Sequence, residues 1–193
     1  MNEYKENISS GIILMLGNFS SSIFTGLDRW FVKILLLSFD FAMYSFAVSM
    51  ENIINVFVSP ITVSMYNYFC KKPSLNEIKS VKKLSLIWGF VVISAAFPAK
   101  WILVHYLNTY LAANDVIFLL FGAQVFYIVV KSIYVNLYKA EKQQNIYLQQ
   151  MVVMIVLGAV LNALFFAVYN STISIAFATF CTSIIWMLIC EYK

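Results

Sequence analysis

Six apolar stretches, each long enough to cross a bilayer, dominate the sequence, at about 10–38, 42–69, 84–107, 116–138, 147–168 and 173–190. A helical span needs about 20 apolar residues at about 1.5 Å each. Apolar and aromatic residues form 62% of the chain and charged residues 11%, against roughly 45–50% and about 25% in soluble domains. That balance excludes a water-soluble domain. The expectation is an all-α membrane protein, a single six-helix bundle over 1–193, whose first two spans are long enough to tilt or protrude. The connectors fall at 39–41, 70–83, 108–115, 139–146 and 169–172, and no Pro/Gly/Ser linker or internal repeat divides the chain. The mixed polar start, MNEYKENISS, leads directly into polytopic sequence, so no cleavable leader is expected.

The charges outside the spans are sorted. One alternating set of ends and connectors holds Lys5, Lys71, Lys72, Lys79, Lys82, Lys83, Lys139, Lys142 and Lys193, while the opposite set carries only Asp40 and Asp115. Basic residues collect on the cytoplasmic side, so both termini are expected there, with three hairpins crossing the membrane. The net charge of +4 thus reports orientation, and no nucleic-acid partner is expected. Cys70, Cys181 and Cys190 lack metal-ligand or disulfide spacing and read as small apolar fillers. His105 has no Ser or Cys partner in a hydrolytic motif, and no Gly-rich phosphate loop appears. Neither an enzyme nor a cofactor site is indicated.

Ionisable residues inside the spans carry the functional signal. Asp28, Arg29, Lys33, Glu51, Lys100 and Lys131 fall there, each costing about 2.5–3.5 kcal/mol at the bilayer centre. With a short turn at 39–41, Asp28, Arg29 and Glu51 share one depth, which predicts a buried Arg–carboxylate cluster. Lys33, Lys100 and Lys131 sit about 5–7 residues from a helix end, within reach of the interface for a long stem. Three spans present polar stripes at helical spacing. The first holds Asn18, Ser22, Thr25, Arg29 and Lys33; the second Glu51, Asn55, Ser59, Thr62 and Tyr66, with Asn52 beside them; the fourth Gln124, Tyr127, Lys131, Tyr134 and Tyr138. Polar residues also glue helices together in membranes, but ionised groups in the same stripes favour a hydrated lumen. Pro60 interrupts the second stripe and is a candidate hinge, and Pro98 is expected to bend the third span. Four basic residues against two acids inside the spans suit an anionic cargo, for which Arg offers bidentate phosphate contacts.

The run GNFSSSIFTGLDRWFVK at 17–33, then FAMYSFAVSMENIINVFVSPITVSMYNYF at 41–69, then the lysine-rich connector, resembles the O-antigen and polysaccharide flippases of the multidrug/oligosaccharidyl-lipid/polysaccharide exporter superfamily. The likeness rests on Asp28-Arg29, Tyr44-Ser45 and the lysines after them; it covers the whole chain in layout and 1–83 in local pattern. It implies two bundles around a cationic cleft, with this chain corresponding to the C-terminal six-helix half. It also implies a bacterial inner-membrane location and an undecaprenyl-diphosphate-linked oligosaccharide as cargo. On that basis Arg29 and Lys33 attract the diphosphate, and Lys131, Gln124 and Tyr127 touch sugar or phosphate. Asp28 and Glu51 hold the arginine or exchange protons or cations, and Asn18, Thr25, Asn52, Asn55 and Ser59 line the lumen. The chain is then a remnant or split-gene product, or it pairs with itself or with a second six-helix half within the membrane lipids. Two rival readings are a drug or cation antiporter of the same superfamily, and a non-transporting scaffold or inert fragment.

Overall fold

The structure is a computed structural model that describes residues 2–192; Lys193 lies outside the described residues, as does the side chain of Lys5. Among them no strand forms. The helices are α1 (Asn2–Leu35), α2 (Ser38–Phe69), α3 (Leu75–Ser94), α4 (Ala96–Tyr106), α5 (Asn114–Val129), α6 (Val135–Ala140), α7 (Gln144–Val168) and α8 (Thr172–Tyr192). A 3₁₀ segment, Asn108–Ala113, precedes α5, and a π-helical turn, Val130–Tyr134, joins α5 to α6. Six helical stretches are long and apolar enough to cross a membrane: Ser10–Leu35, Ser38–Phe69, Leu75–Tyr106, Asn108–Ala140, Gln144–Val168 and Thr172–Tyr192. The chain is a multi-pass, all-α membrane protein.

Several boundaries differ from the sequence expectation. The first turn lies at Leu36 and Leu37, and the residues expected as a connector, 39–41, form the first turn of α2. Asp40 sits there, where an acid complements the free N–H groups of a helix start. The lysine-rich connector shrinks to 70–74 because Ser74 and Glu77 form a capping box. The Glu77 N–H donates to Ser74 Oγ at 3.4 Å, and the Ser74 N–H donates to Glu77 Oε2 at 2.6 Å. Lys79, Lys82 and Lys83 therefore ride on α3, where Lys82 pairs with Glu191 of α8.

The two prolines behave oppositely. α2 runs through Pro60 without a break in its helical assignment. The third span breaks at Ala95, between α3 and α4, three residues before Pro98. Proline cannot donate to the carbonyl four residues back and its ring crowds that carbonyl. The Ser94 hydroxyl then turns back to donate to Val91 O at 2.6 Å.

α5 is the central helix. Buried residues make up 78% of the fourth span's apolar window, against 11% in each of the first two. α5 packs against α2, α3 and α8, while α1 lies mainly on α7. Small residues permit these approaches, as is usual between membrane helices. A Cβ on Gly89 of α3 would sit 2.6 Å from Val125 Cγ1 and 3.0 Å from Val125 Cα. One on Gly158 of α7 would meet Leu27 at 3.2 Å and Phe24 at 3.4 Å. Of the cysteines, Cys190 is buried and its thiol donates to Gln150 Oε1 at 3.7 Å, Cys181 is half-buried, and Cys70 is exposed at the end of α2.

Candidate functional site: a polar cleft between the first two spans

α1 and α2 meet at their shared turn and then part. Near the turn, Val32 of α1 joins Met43, Tyr44, Ala47 and Val48 of α2 in one apolar cluster. Farther along, α1 leans on α7, through Phe24 and Leu27 at Gly158 and through the Tyr147 hydroxyl, which donates to Asn18 Oδ1 at 3.5 Å. α2 leans the other way. The Asn136 amide of α6 donates to Thr62 O at 2.7 Å, and the Thr62 and Ser132 hydroxyls lie 3.5 Å apart. Because the termini of α1 and α2 away from the turn lie on the lysine-rich side, the gap opens toward that side.

The gap holds a cavity of about 80 Å³. α1 contributes Thr25, Asp28 and Arg29, and α2 contributes Glu51, Asn52 and Asn55. Tyr127 and Lys131 form the floor, with Asn162 of α7 and Thr179 and Thr182 of α8 on the far wall. The volume suits a few ordered waters or one small ion.

Asp28, Arg29 and Glu51 line one cavity, as expected, but no Arg–carboxylate ion pair forms among them. The described residues contain one ion pair, Lys82 with Glu191, and it lies outside the cleft. Asp28 and Arg29 are neighbours on one helix, so their side chains diverge by about 100°. Asp28, 7% exposed, turns inward, accepting from the Tyr44 hydroxyl at 2.8 Å and from the Arg29 backbone N–H at 2.7 Å. Arg29 is exposed and borders both the cavity and the shallow groove beside it. The shifted turn also separates the depths. Arg29 lies six residues from the end of α1, about 9 Å, and Glu51 lies thirteen residues into α2, about 20 Å.

Glu51 is held by Gln124, whose side-chain amide donates to its carboxylate. Gln124 is 1% exposed and is not among the residues lining the cavity. It supports Glu51 from the central helix. Lys131 is also not close to a helix end. The helix continues through the π-helical turn to Ala140, nine residues on, and the ammonium lies 5.3 Å from the Tyr127 ring centroid. A π-helical turn re-aims side chains at the cost of regular hydrogen bonding and is common at functional positions.

Of the remaining expected residues, Thr25, Asn52 and Asn55 line the cavity, while Asn18 and Ser59 are exposed on α1 and α2 beyond it. Lys33 lies outside, in a shallow groove with Gly26, Arg29, Trp30 and Phe41, and Lys100 is exposed on α4. The cavity lining therefore holds two acids, Asp28 and Glu51, and two bases, Arg29 and Lys131. Among the described residues Lys33 is the one further base beside it, toward the shared turn.

Sequence reasoning missed three polar lining residues, Asn162, Thr179 and Thr182. Asn162 is 3% exposed and its Oδ1 has no hydrogen-bond partner among the described residues. Its signal was a lone amide in an otherwise apolar stretch of α7. Thr179 and Thr182 follow helical spacing on α8, but their hydroxyls donate to Ile175 O at 3.2 Å and Ala178 O at 2.7 Å. Among the described residues no cluster of three or more His, Cys, Asp or Glu gathers to hold a metal ion. His105 is exposed and donates from Nδ1 to Trp101 O at 2.9 Å, away from the cleft. No protein-family model, curated protein or solved structure matches the chain.

Proposed function

We propose that this chain is a six-helix half-transporter of flippase type in the bacterial inner membrane. Its cargo is an undecaprenyl-diphosphate-linked oligosaccharide, a repeat unit of O-antigen or a related polysaccharide, and its cleft face works against a second six-helix bundle. The observation that carries this reading is the uncovered polar face of α1 and α2. Asn18, Ser22, Thr25, Arg29, Asn52 and Ser59 are all exposed along membrane spans. The Ser22 and Thr25 hydroxyls donate to their own helix and Asn18 accepts from Tyr147. Arg29, Asn52 and Ser59 have no side-chain hydrogen-bond partner among the described residues, and hydrocarbon leaves such groups unsatisfied. A facing bundle relieves that cost and encloses a lumen. The cavity of about 80 Å³ within one bundle is too small for a sugar chain, so the passage lies between bundles.

In this arrangement Arg29 and Lys33, toward the closed end of the cleft near the shared turn, are the cationic positions that hold the diphosphate. Lys131 beside the Tyr127 ring offers a charge and an aromatic surface to sugar or phosphate. Asp28 and Glu51 lie inward, each held by a neutral donor, Tyr44 or Gln124, and form the element that exchanges a proton or cation during the return step.

The equal count of acids and bases in the cleft favours one rival, the drug or cation antiporter. Inverted membrane vesicles from cells making the chain separate the two, because any partner bundle is present there. The flippase reading expects polyprenyl-diphosphate-linked oligosaccharide, added on the cytoplasmic face, to become inaccessible to external lectin as it moves inward. A cationic dye should not move. Dye movement without loss of lectin access contradicts the proposal.

A further inference from the structure

An open cavity of about 620 Å³ lies at the lysine-rich end of the bundle, between the 70–74 and 141–143 connectors. Its floor is apolar, built from Phe69, which is 2% exposed, with half-buried Ile78 and Leu137. Its rim is basic. Lys72 and Lys142 come one from each connector, and each holds a left-handed backbone, at φ 52° and 58°. That conformation closes the helix before it. The Lys72 N–H donates to Phe69 O at 3.0 Å, and the Gln143 N–H donates to Tyr138 O at 2.8 Å. Glycine usually takes that position because any Cβ there is crowded. Two lysines occupy it at one cavity.

Both lysines are exposed, and neither makes an ion pair among the described residues. Two basic neighbours are engaged elsewhere: Lys139 lies 5.3 Å from the Tyr147 ring centroid, and Lys82 pairs with Glu191. Glu141 is the one acid in the lining, so the rim keeps a positive excess. α7 also starts at this rim with no side-chain cap on its first turn, which leaves backbone N–H donors there. The cavity thus joins an apolar floor to a cationic rim at the depth where spans end and headgroups begin.

We propose that this cavity binds an anionic phospholipid of the cytoplasmic leaflet. Its phosphate sits between Lys72 and Lys142, and its glycerol and first acyl methylenes lie on Phe69, Ile78 and Leu137. Basic pockets between membrane helices on this side recognise anionic headgroups. A free phosphate uses the lysines and leaves the apolar floor empty; a zwitterionic lipid uses the floor and gains little from the lysines.

The full chain in neutral detergent, examined by native mass spectrometry with phosphatidylglycerol, phosphatidylcholine and inorganic phosphate as probes, tests this. Phosphatidylglycerol should be retained, with phosphatidylcholine at least about fivefold weaker. The double variant Lys72→Asn/Lys142→Asn keeps residues that tolerate positive φ and should bind phosphatidylglycerol roughly 10–30-fold more weakly. Lys79→Asn/Lys83→Asn removes equal charge from outside the lining and should change binding less than about twofold. Lys72→Arg/Lys142→Arg should bind like the parent, which separates loss of charge from loss of fold. Three results each overturn the proposal: an unchanged asparagine double variant, equal losses in both asparagine pairs, or phosphatidylcholine retained as well as phosphatidylglycerol. Displacement of phosphatidylglycerol by inorganic phosphate at comparable concentration also overturns it, in favour of a free-anion site.

Discussion

Arg29→Glu is expected to reduce surface glycan to background in cells whose export depends on this chain, while the protein still inserts at parental levels. Arg29 is exposed at the cleft and forms no ion pair, so the fold does not depend on its charge. Its field does matter. With Asp28 and Glu51 behind it, a glutamate at 29 gives three acids against Lys131 and repels a diphosphate. Arg29→Lys keeps the charge but loses the bidentate fork and should retain partial export. Normal export by Arg29→Glu, measured as surface glycan against membrane protein level, rejects the assignment of Arg29 to the diphosphate. The scaffold alternative makes a different prediction. If the cleft only packs, Arg29→Leu with Glu51→Met should be nearly neutral for the fold and for export, since Arg29 is exposed and forms no ion pair; the transport reading expects export to be lost.

Gly89→Leu should have the largest effect on the fold. The missing side chain lets α3 lie directly on the central helix, and the neighbour a Cβ would strike includes the Val125 backbone at 3.0 Å. A flexible side chain can step aside; a backbone atom in a buried helix cannot. Overpacking of this kind costs about 1–3 kcal/mol, and a leucine should fall at the upper end. The midpoint of thermal unfolding in detergent should drop accordingly. Gly11→Ala is the control, since nothing lies within 4 Å of its Cβ; it should be neutral or slightly stabilising through helix propensity. Equal midpoints for Gly89→Leu and the parent contradict the observed α3–α5 approach.

The spans themselves could be read from the sequence because about 20 consecutive apolar residues have few other outcomes. The turns were less legible. Leu36 and Leu37 form the first turn without any polar signal, whereas Ser38 and Asp40, which look like loop residues, open α2. That shift of a few residues staggers Glu51 along the cleft relative to Arg29, so the two line one cavity without forming an ion pair. Which helix lies at the centre was also hidden. α7 has the higher mean hydropathy, 2.7 against 2.1 for the fourth span, yet only 22% of its window is buried against 78%. In lipid the outside is as apolar as the inside, so hydropathy cannot rank depth. The polar stripes did indicate the cleft, since Thr25, Asp28, Arg29, Glu51, Asn52, Asn55, Tyr127 and Lys131 converge on it. Gln124 fell on the same stripe but is one turn out of reach, and it serves Glu51 instead.

The central claim is that the gap between α1 and α2 is an aqueous path open to the cytoplasm. Cysteine accessibility tests it directly, in a background where Cys70, Cys181 and Cys190 are replaced by Ser or Ala. In inverted membrane vesicles, a membrane-impermeant thiol reagent should modify Asn52→Cys and Asn55→Cys, both in the cavity wall. It should leave Phe57→Cys, exposed on the same helix but outside that wall, unmodified. Protection of all three positions would show the cleft to be dry, and the transport account would fail with it.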